Sequence, residues 1–263
     1  MAKRIYTTLL MAAAILMAYS CGEDPIDPKP VDPPEIDPTI YVGIGRAGLS
    51  PESATIGYFK KCIEDAGGKM IYFESYATND SKAKNDLNRV DALIIPGSSA
   101  ADTSGRTACD KRLIGAAIAQ GKPVLGVCFG CQRICLMRGG ALGTVTEDFP
   151  DSPYDHYKGG AYLNHDITID ETSTLYRLLQ TKTIQVNSSH KHYCKTIPAG
   201  VRIVASADDG VPEALEGTYP GDRLLGVQFH PEYLYALLGK DAFLTLFEDL
   251  VTQAREVKFA GKQ

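Results

Sequence analysis

Four short, mostly apolar runs, Ile40–Ile44, Lys69–Phe73, Ala92–Ile95 and Val124–Val127, punctuate the first half of the chain. Each has the length and character of a strand buried on both faces. Stretches with helical spacing lie among them, at about Pro51–Ala66 and Thr107–Gln120, and a third follows at Cys131–Met137. Ser50 before Pro51 supplies a capping residue and a preset first helical position. Gly67-Gly68 and Gly121 are natural stops. Strand, helix, strand in succession requires right-handed crossovers and hence a parallel sheet, so an α/β fold is expected. Farther on, Asp166–Ile169, Thr183–Val186, Arg202–Ala205, Glu213–Leu215 and Leu224–Phe229 read as shorter, closely spaced strands. A closing helix, about Lys240–Glu256, places Phe243, Leu246, Phe247, Leu250, Val251 and Ala254 on one face. The chain shows no internal repeat and no second linker, so residues 41–263 are expected to form one domain.

The N-terminus breaks this pattern. Lys3 and Arg4 precede the apolar stretch Leu9–Ala18, which ends at Tyr19-Ser20-Cys21-Gly22. A basic start, a short apolar middle and small residues at the end describe an export signal, and the run falls short of the ~20 residues of a membrane-spanning helix. Cys21 after Ala18-Tyr19-Ser20 resembles a bacterial lipoprotein cleavage site, which makes Cys21 the expected lipidation point. Residues 22–40 then hold six prolines and six acids against one base, Lys29, in a recurring Asp-Pro theme. Proline favours extended backbone and like charges repel, so this segment reads as a semi-rigid spacer. The expected location is the bacterial cell envelope, with the domain anchored by lipid and facing the periplasm or exterior.

Composition narrows the function classes. A 44% hydrophobic, 22% charged chain of 263 residues is too apolar for general disorder. Its net charge of −5 resides largely in the spacer, leaving the domain nearly neutral, which argues against nucleic acid as a partner. Gly43-Ile44-Gly45-Arg46-Ala47-Gly48 formally matches a dinucleotide fingerprint. In that motif the helix must begin within the glycines, whereas Leu49-Ser50-Pro51 intervene here; a loop at the strand's end is the better reading.

Chemistry concentrates in Pro123–Gln132, where a buried strand runs into Gly126-Val127-Cys128-Phe129-Gly130 and then a helix. The glycines permit a turn too tight for side chains and push Cys128 out over the strand's end, close to a helix N-terminus that favours thiolate. A nucleophilic sulfur needs a base. Of five histidines, His230 stands at the end of the apolar strand Gly226-Val227-Gln228-Phe229, followed by Pro231 and Glu232, whose carboxylate can hold the ring's second nitrogen. The trio has triad logic with a thiol attacker. The N–H of Phe129 and a backbone N–H at Gly97, in the turn after Ala92–Ile95, would form a two-donor oxyanion hole. Cys128-x-x-Cys131 also copies the spacing of redox motifs, and a disulfide there would silence the nucleophile. Cys131 and Cys135, one helical turn apart, are better read as packing residues. With no other His or Cys pair at ligand spacing, no metal is expected, and no cofactor.

Together, the segments Gly126–Gln132 and Gly226–Glu232 resemble the class I glutamine amidotransferase-like superfamily, and within it the gamma-glutamyl hydrolase family. Ile95-Pro96-Gly97, Arg138–Leu142, Val186–His190 and Asp209–Glu216 extend the likeness over most of 41–263. The resemblance implies a flavodoxin-like three-layer sandwich with a mainly parallel central sheet. It also implies hydrolysis of gamma-glutamyl amides by Cys128, His230 and Glu232, with Gln132, His190 and Glu213 near the glutamyl head. The chain departs from the family after Asn187-Ser188-Ser189-His190, where Lys191-His192-Tyr193 replace the usual residues and leave substrate choice open. A glutaminase that passes ammonia to a partner, or a surface binding module of the same fold, are the rival expectations. The partner expected is a small gamma-glutamyl substrate.

Overall fold

The computed structural model describes residues 37–260, apart from 46, 47, 49, 75, 76 and 98–103. The signal segment, Cys21 and nearly all of the spacer therefore lie outside the described residues. Pro38–Gln263 forms one compact unit.

Its sheet begins with β1 (Tyr41–Ile44), β2 (Lys69–Tyr72), β3 (Ala92–Ile95) and β4 (Val124–Val127). The helices α1 (Ala54–Asp65), α2 (Asp80–Leu87), α3 (Ser104–Ala119) and α4 (Phe129–Met137) make the crossovers. After β5 (Ala141–Thr144) and the single turn α5 (Val145–Asp148) come β6 (Leu163–Ile169), α6 (Thr174–Leu179), β7 (Thr183–Ser188) and β8 (His192–Thr196). The chain continues through β9 (Val201–Ala207), β10 (Pro212–Gly217), β11 (Leu224–Val227) and α7 (Pro231–Ala236). It closes with a 3-10 turn, Asp241–Leu244, and α8 (Thr245–Phe259).

Nine strands form one sheet in the order β2-β1-β3-β4-β11-β10-β9-β6-β7. The first five run parallel, and β10, β9, β6 and β7 continue the sheet antiparallel. A separate hairpin pairs β5 with β8. Strand alternation sends side chains to two cores, as a period of two requires. Val42, Ile44, Ile94, Leu125 and Val127 pack with Phe59 of α1 and with Leu246, Phe247 and Leu250 of α8. Leu93, Ile95 and Val124 pack on the other face with Leu87 of α2, Leu113 and Ile114 of α3, and Ile134 of α4. The result is the expected three-layer sandwich.

One expectation about helix starts is corrected. Helix α1 begins at Ala54 rather than at Pro51, because Ser50–Ser53 close a turn (Ser53 N–H to Ser50 C=O, 3.0 Å) and Ser53 becomes the cap, accepting from the Ile56 N–H. Helix α1 thus starts six residues after Gly48, the last glycine of the fingerprint-like run.

Candidate active site

Neighbouring strands β3, β4 and β11 all end at the same sheet edge, with Ile95 opposite Gly126 and Val227 opposite Val127. Ligands of open α/β sheets bind beyond the carboxyl ends of such strands. Cys128 follows β4 directly and precedes α4, with φ 51° and ψ −102°. A non-glycine residue in that region costs about 1–3 kcal/mol and persists only where its surroundings enforce it. They do so here. A Cβ on Gly126 would lie 2.6 Å from the Gly130 carbonyl group, and one on Gly130 would collide with the Ile95 carbonyl oxygen. The Cys128 N–H donates to the Val227 carbonyl at 2.8 Å.

His230 is fastened from two sides. Its N–H donates to Asn187 Oδ1 at 2.7 Å, and Asn187 Nδ2 donates back to the His230 carbonyl at 3.3 Å. Its ring Nδ1 lies 2.7 Å from Glu232 Oε1, in the first turn of α7, and Cys128 is its second electrostatic neighbour. Burial alone would lower the imidazole pKa, but the charges of Glu232 and Cys128 outweigh it and raise it to about 10. The ring is therefore held protonated at neutral pH. Tyr162 covers it edge-on at 5.0 Å and packs on Tyr233 at 4.2 Å. Burial, with Glu232 and Cys128, pushes the Tyr162 hydroxyl well above its ordinary range, so it stays neutral.

Gly97 sits at the same edge. A Cβ there would stand 2.6 Å from His230 Cε1 and 3.5 Å from Cys128 Cβ, so the backbone of Gly97, the imidazole and Cys128 meet at one point. Phe129 opens α4, and the first N–H of a helix has no carbonyl one turn earlier to receive it. Arg106, unnoticed in the sequence, ties the two donors' supports together. Its guanidinium donates to the Pro96 carbonyl at 2.6 Å, pairs with fully buried Asp110 at 3.1 Å and lies 4.2 Å over the Phe129 ring. Arg133 covers the same ring at 3.7 Å.

The three residues expected near substrate are held by hydrogen bonds to one another's neighbours. Gln132 donates to the His192 carbonyl at 2.9 Å and to Gln228 Oε1 at 3.2 Å. His190 shares that His192 carbonyl through its Nδ1 at 3.1 Å, and its Nε2 lies 3.2 Å from fully buried Glu213. His156 and His165, which no spacing marked, join the same buried cluster. Only the fold could bring them there, since β6, β7 and β10 contribute from separate parts of the chain.

Of the other cysteines, Cys131 packs against Gly226 and Cys135 contacts the Thr196 carbonyl at 3.5 Å. The described cysteines are all unbridged. Burial pushes the Cys62 thiol far up and Cys109 to about 11, and hydrogen bonding with Cys194 together with burial raises Cys135, so these three stay thiols.

A strained cysteine at a strand-to-helix turn, an imidazole and a carboxylate thus stand at one edge of a mostly parallel sheet. Residues 47–232 match the model of the Peptidase C26 family, and the chain belongs to that family, within the class I glutamine amidotransferase-like superfamily. Among curated proteins it is 32% identical to protein NtpR of Enterococcus hirae over 127 residues, 47% of this chain and 53% of that one. It is 36% identical to the glutamine-hydrolysing GMP synthase of Clostridium botulinum over 120 residues, 46% of this chain and 21% of the synthase. The chain thus spans about half of the former and about a fifth of the latter. Among solved structures, the glutaminase domain of Trypanosoma brucei CTPS, with acivicin bound, shares the fold at TM-score 0.60 and 16% identity. The likeness covers 81% of this chain and 94% of that domain.

Proposed function

We propose that the protein hydrolyses gamma-glutamyl amide bonds through a glutamyl thioester on Cys128. The observation that carries this reading is the meeting of Cys128, His230 and Gly97 at one point of the sheet edge, with Glu232 fixing the ring. Cys128 Sγ attacks the side-chain carbonyl carbon as its proton resides on His230. The carbonyl oxygen takes up negative charge facing the N–H groups of Gly97 and Phe129, where one donor is worth ~10²–10³ in rate. The His230 imidazolium passes its proton to the leaving amine as the C–N bond breaks, leaving a thioester and a neutral ring. Water, deprotonated by that ring, then attacks the thioester carbonyl and releases glutamate and the Cys128 sulfur, splitting one hard step into two easier ones.

Incubating the purified protein with a panel of gamma-glutamyl amides tests this. Glutamate release and a glutamyl adduct on Cys128 by mass spectrometry are expected. Cys128→Ala should remain folded, form no adduct and lose ~10⁴-fold or more in rate. The likeness to a glutamine-hydrolysing synthase favours a second reading, a glutaminase supplying ammonia to a partner. Ammonia from free glutamine, without turnover of gamma-glutamyl dipeptides, would select it.

The same reading puts the enzyme outside the cytoplasm, lipid-anchored at Cys21 with residues 22–40 as the tether. It is supported by the basic, apolar and small-residue order before Cys21. Cys21→Ser should move the protein out of the membrane fraction and abolish incorporation of labelled fatty acid.

A further inference from the structure

Behind the catalytic edge, four side chains from four segments turn inward to one point. His156 comes from the loop after α5, His165 from β6, His190 from the turn between β7 and β8, and Glu213 from β10. All four are at least nine-tenths buried. His156 Nδ1, His165 Nε2 and His190 Nε2 lie 3.4, 3.3 and 3.2 Å from Glu213 Oε1, and the first and last are 3.3 Å apart. Those four separations match the edges of about 3.3 Å of a tetrahedron of ligands ~2.0–2.1 Å from zinc, and all four ligand atoms lie within 4.8 Å of one another.

The outer nitrogens decide what the inner ones present. His156 Nε2 faces Asp209 Oδ2 at 2.9 Å, His165 Nδ1 faces the Asp166 carbonyl at 3.2 Å, and His190 Nδ1 faces the His192 carbonyl at 3.1 Å. Carbonyl and carboxylate oxygens only accept, so each outer nitrogen carries its ring's hydrogen. The three inner nitrogens of neutral rings then aim lone pairs at one another and at a carboxylate oxygen. Protonating one ring would satisfy Glu213, and the Ser188 hydroxyl lies 3.3 Å from His156 Nδ1. His165 Nε2 stands 3.3 Å from Glu213 Oε1, yet it is buried without a hydrogen bond, as is Glu213 Oε2. Protonating all three rings would crowd three buried charges around one, a costly arrangement. A single divalent cation meets every lone pair at once. Oxygen acceptors that orient ligating imidazoles are also the usual outer shell of a metal site.

The geometry points to a structural site for a divalent first-row transition metal, zinc by its ligands, bound by His156 Nδ1, His165 Nε2, His190 Nε2 and Glu213 Oε1. Four protein ligands close a tetrahedral site, so the metal holds structure rather than activating water. With Glu213 bound and Asp209 on His156, a +2 ion is neutralised. The metal fastens the 149–162 loop, β6, the β7–β8 turn and β10 into one body. That body carries Asn187, which grips the His230 backbone, and the His192 carbonyl, which holds Gln132. The inference does not depend on which amide the enzyme cleaves.

The test uses the full chain, stripped with a strong chelator and then given Zn²⁺ or Co²⁺ alone. One equivalent of Zn²⁺ should remain after gel filtration and raise Tm. The Co²⁺ form should show visible bands of tetrahedral intensity without the near-ultraviolet band of thiolate ligation. Asp209→Asn should weaken Zn²⁺ ~10–100-fold, His165→Gln should lose stoichiometric binding, and a Cys131→Ala/Cys135→Ala/Cys194→Ala variant should bind as wild type. Failure of the wild-type chain to retain Zn²⁺, a thiolate band with Co²⁺, or undiminished binding by His165→Gln would overturn the assignment. If His165→Gln does not fold, the wild-type stoichiometry and Co²⁺ spectrum still decide.

Discussion

At the residue scale, the backbone of Cys128 and the proton on His230 carry the consequences. Cys128 holds φ 51°, ψ −102°, a conformation glycine adopts freely. Cys128→Gly should therefore unfold at higher denaturant than Cys128→Ala, by about 1 kcal/mol or more, while both are inactive; equilibrium urea melts compare them. Burial lowers the His230 pKa, and Glu232 is the largest influence raising it. Because the folded value is raised to about 10, from ~6.5 for a free imidazole, the stability this group contributes is fully present below about pH 6.5. It is lost as pH climbs through the folded value. Turnover, which needs the imidazolium to protonate the leaving amine, should fall over the same alkaline range. Glu232→Gln should move that limb toward neutrality and lower kcat ~10²-fold or more, as a pH–rate profile would record. These residues were legible in the sequence because each lies within a few positions of its turn: Gly126 and Gly130 flank Cys128, and Pro231 separates His230 from Glu232. His156 and His165 left no such mark, since their partners come from distant parts of the chain, His190 lying 34 positions beyond His156, and reach them only through the sheet.

At the element scale, α3 supports the turn after β3 through Arg106, which donates to the Pro96 carbonyl. Arg106 and Asp110 form an ion pair on α3, with side chains 4% and 0% exposed. Removing one partner of such a pair leaves an uncompensated buried charge and costs ~3–5 kcal/mol. Asp110→Ala should destabilise the protein by that amount in a thermal melt, and should reduce kcat more than KM by freeing Pro96 and its neighbour Gly97. The parallel half of the sheet could be read from sequence because strands buried on both faces are continuous apolar runs, as in Ala92–Ile95 and Val124–Val127. Helix α2 escaped because Asp80–Leu87 is largely polar and buries only Ala83, Asp86 and Leu87. Strand β8 escaped because His-Tyr-Cys-Lys-Thr buries only two of its five residues. Ser50-Pro51 has the composition of a helix start, yet Ser53 won because the turn before it places its hydroxyl within reach of the Ile56 N–H.

At the scale of the molecule, both cores flank one sheet inside Pro38–Gln263. A chain starting at Pro38 should fold with an unchanged Tm and hydrolyse gamma-glutamyl amides at the rate of the full protein, as calorimetry and a glutamate assay would measure. If the spacer is only a tether, its removal should alter location and nothing else.

Sequence alone determined the class of fold and marked Cys128 and His230 as candidate nucleophile and base, because hydrophobic period, glycine spacing and a strand-terminal His-Pro-Glu are local properties of the chain. Tertiary structure alone decided that Asn187 grips His230, that Arg106 joins Pro96 to Phe129, and that three histidines meet at Glu213. Those contacts join residues tens of positions apart, and it is the register and order of the strands, set by the packing of whole faces, that brings them within bonding distance.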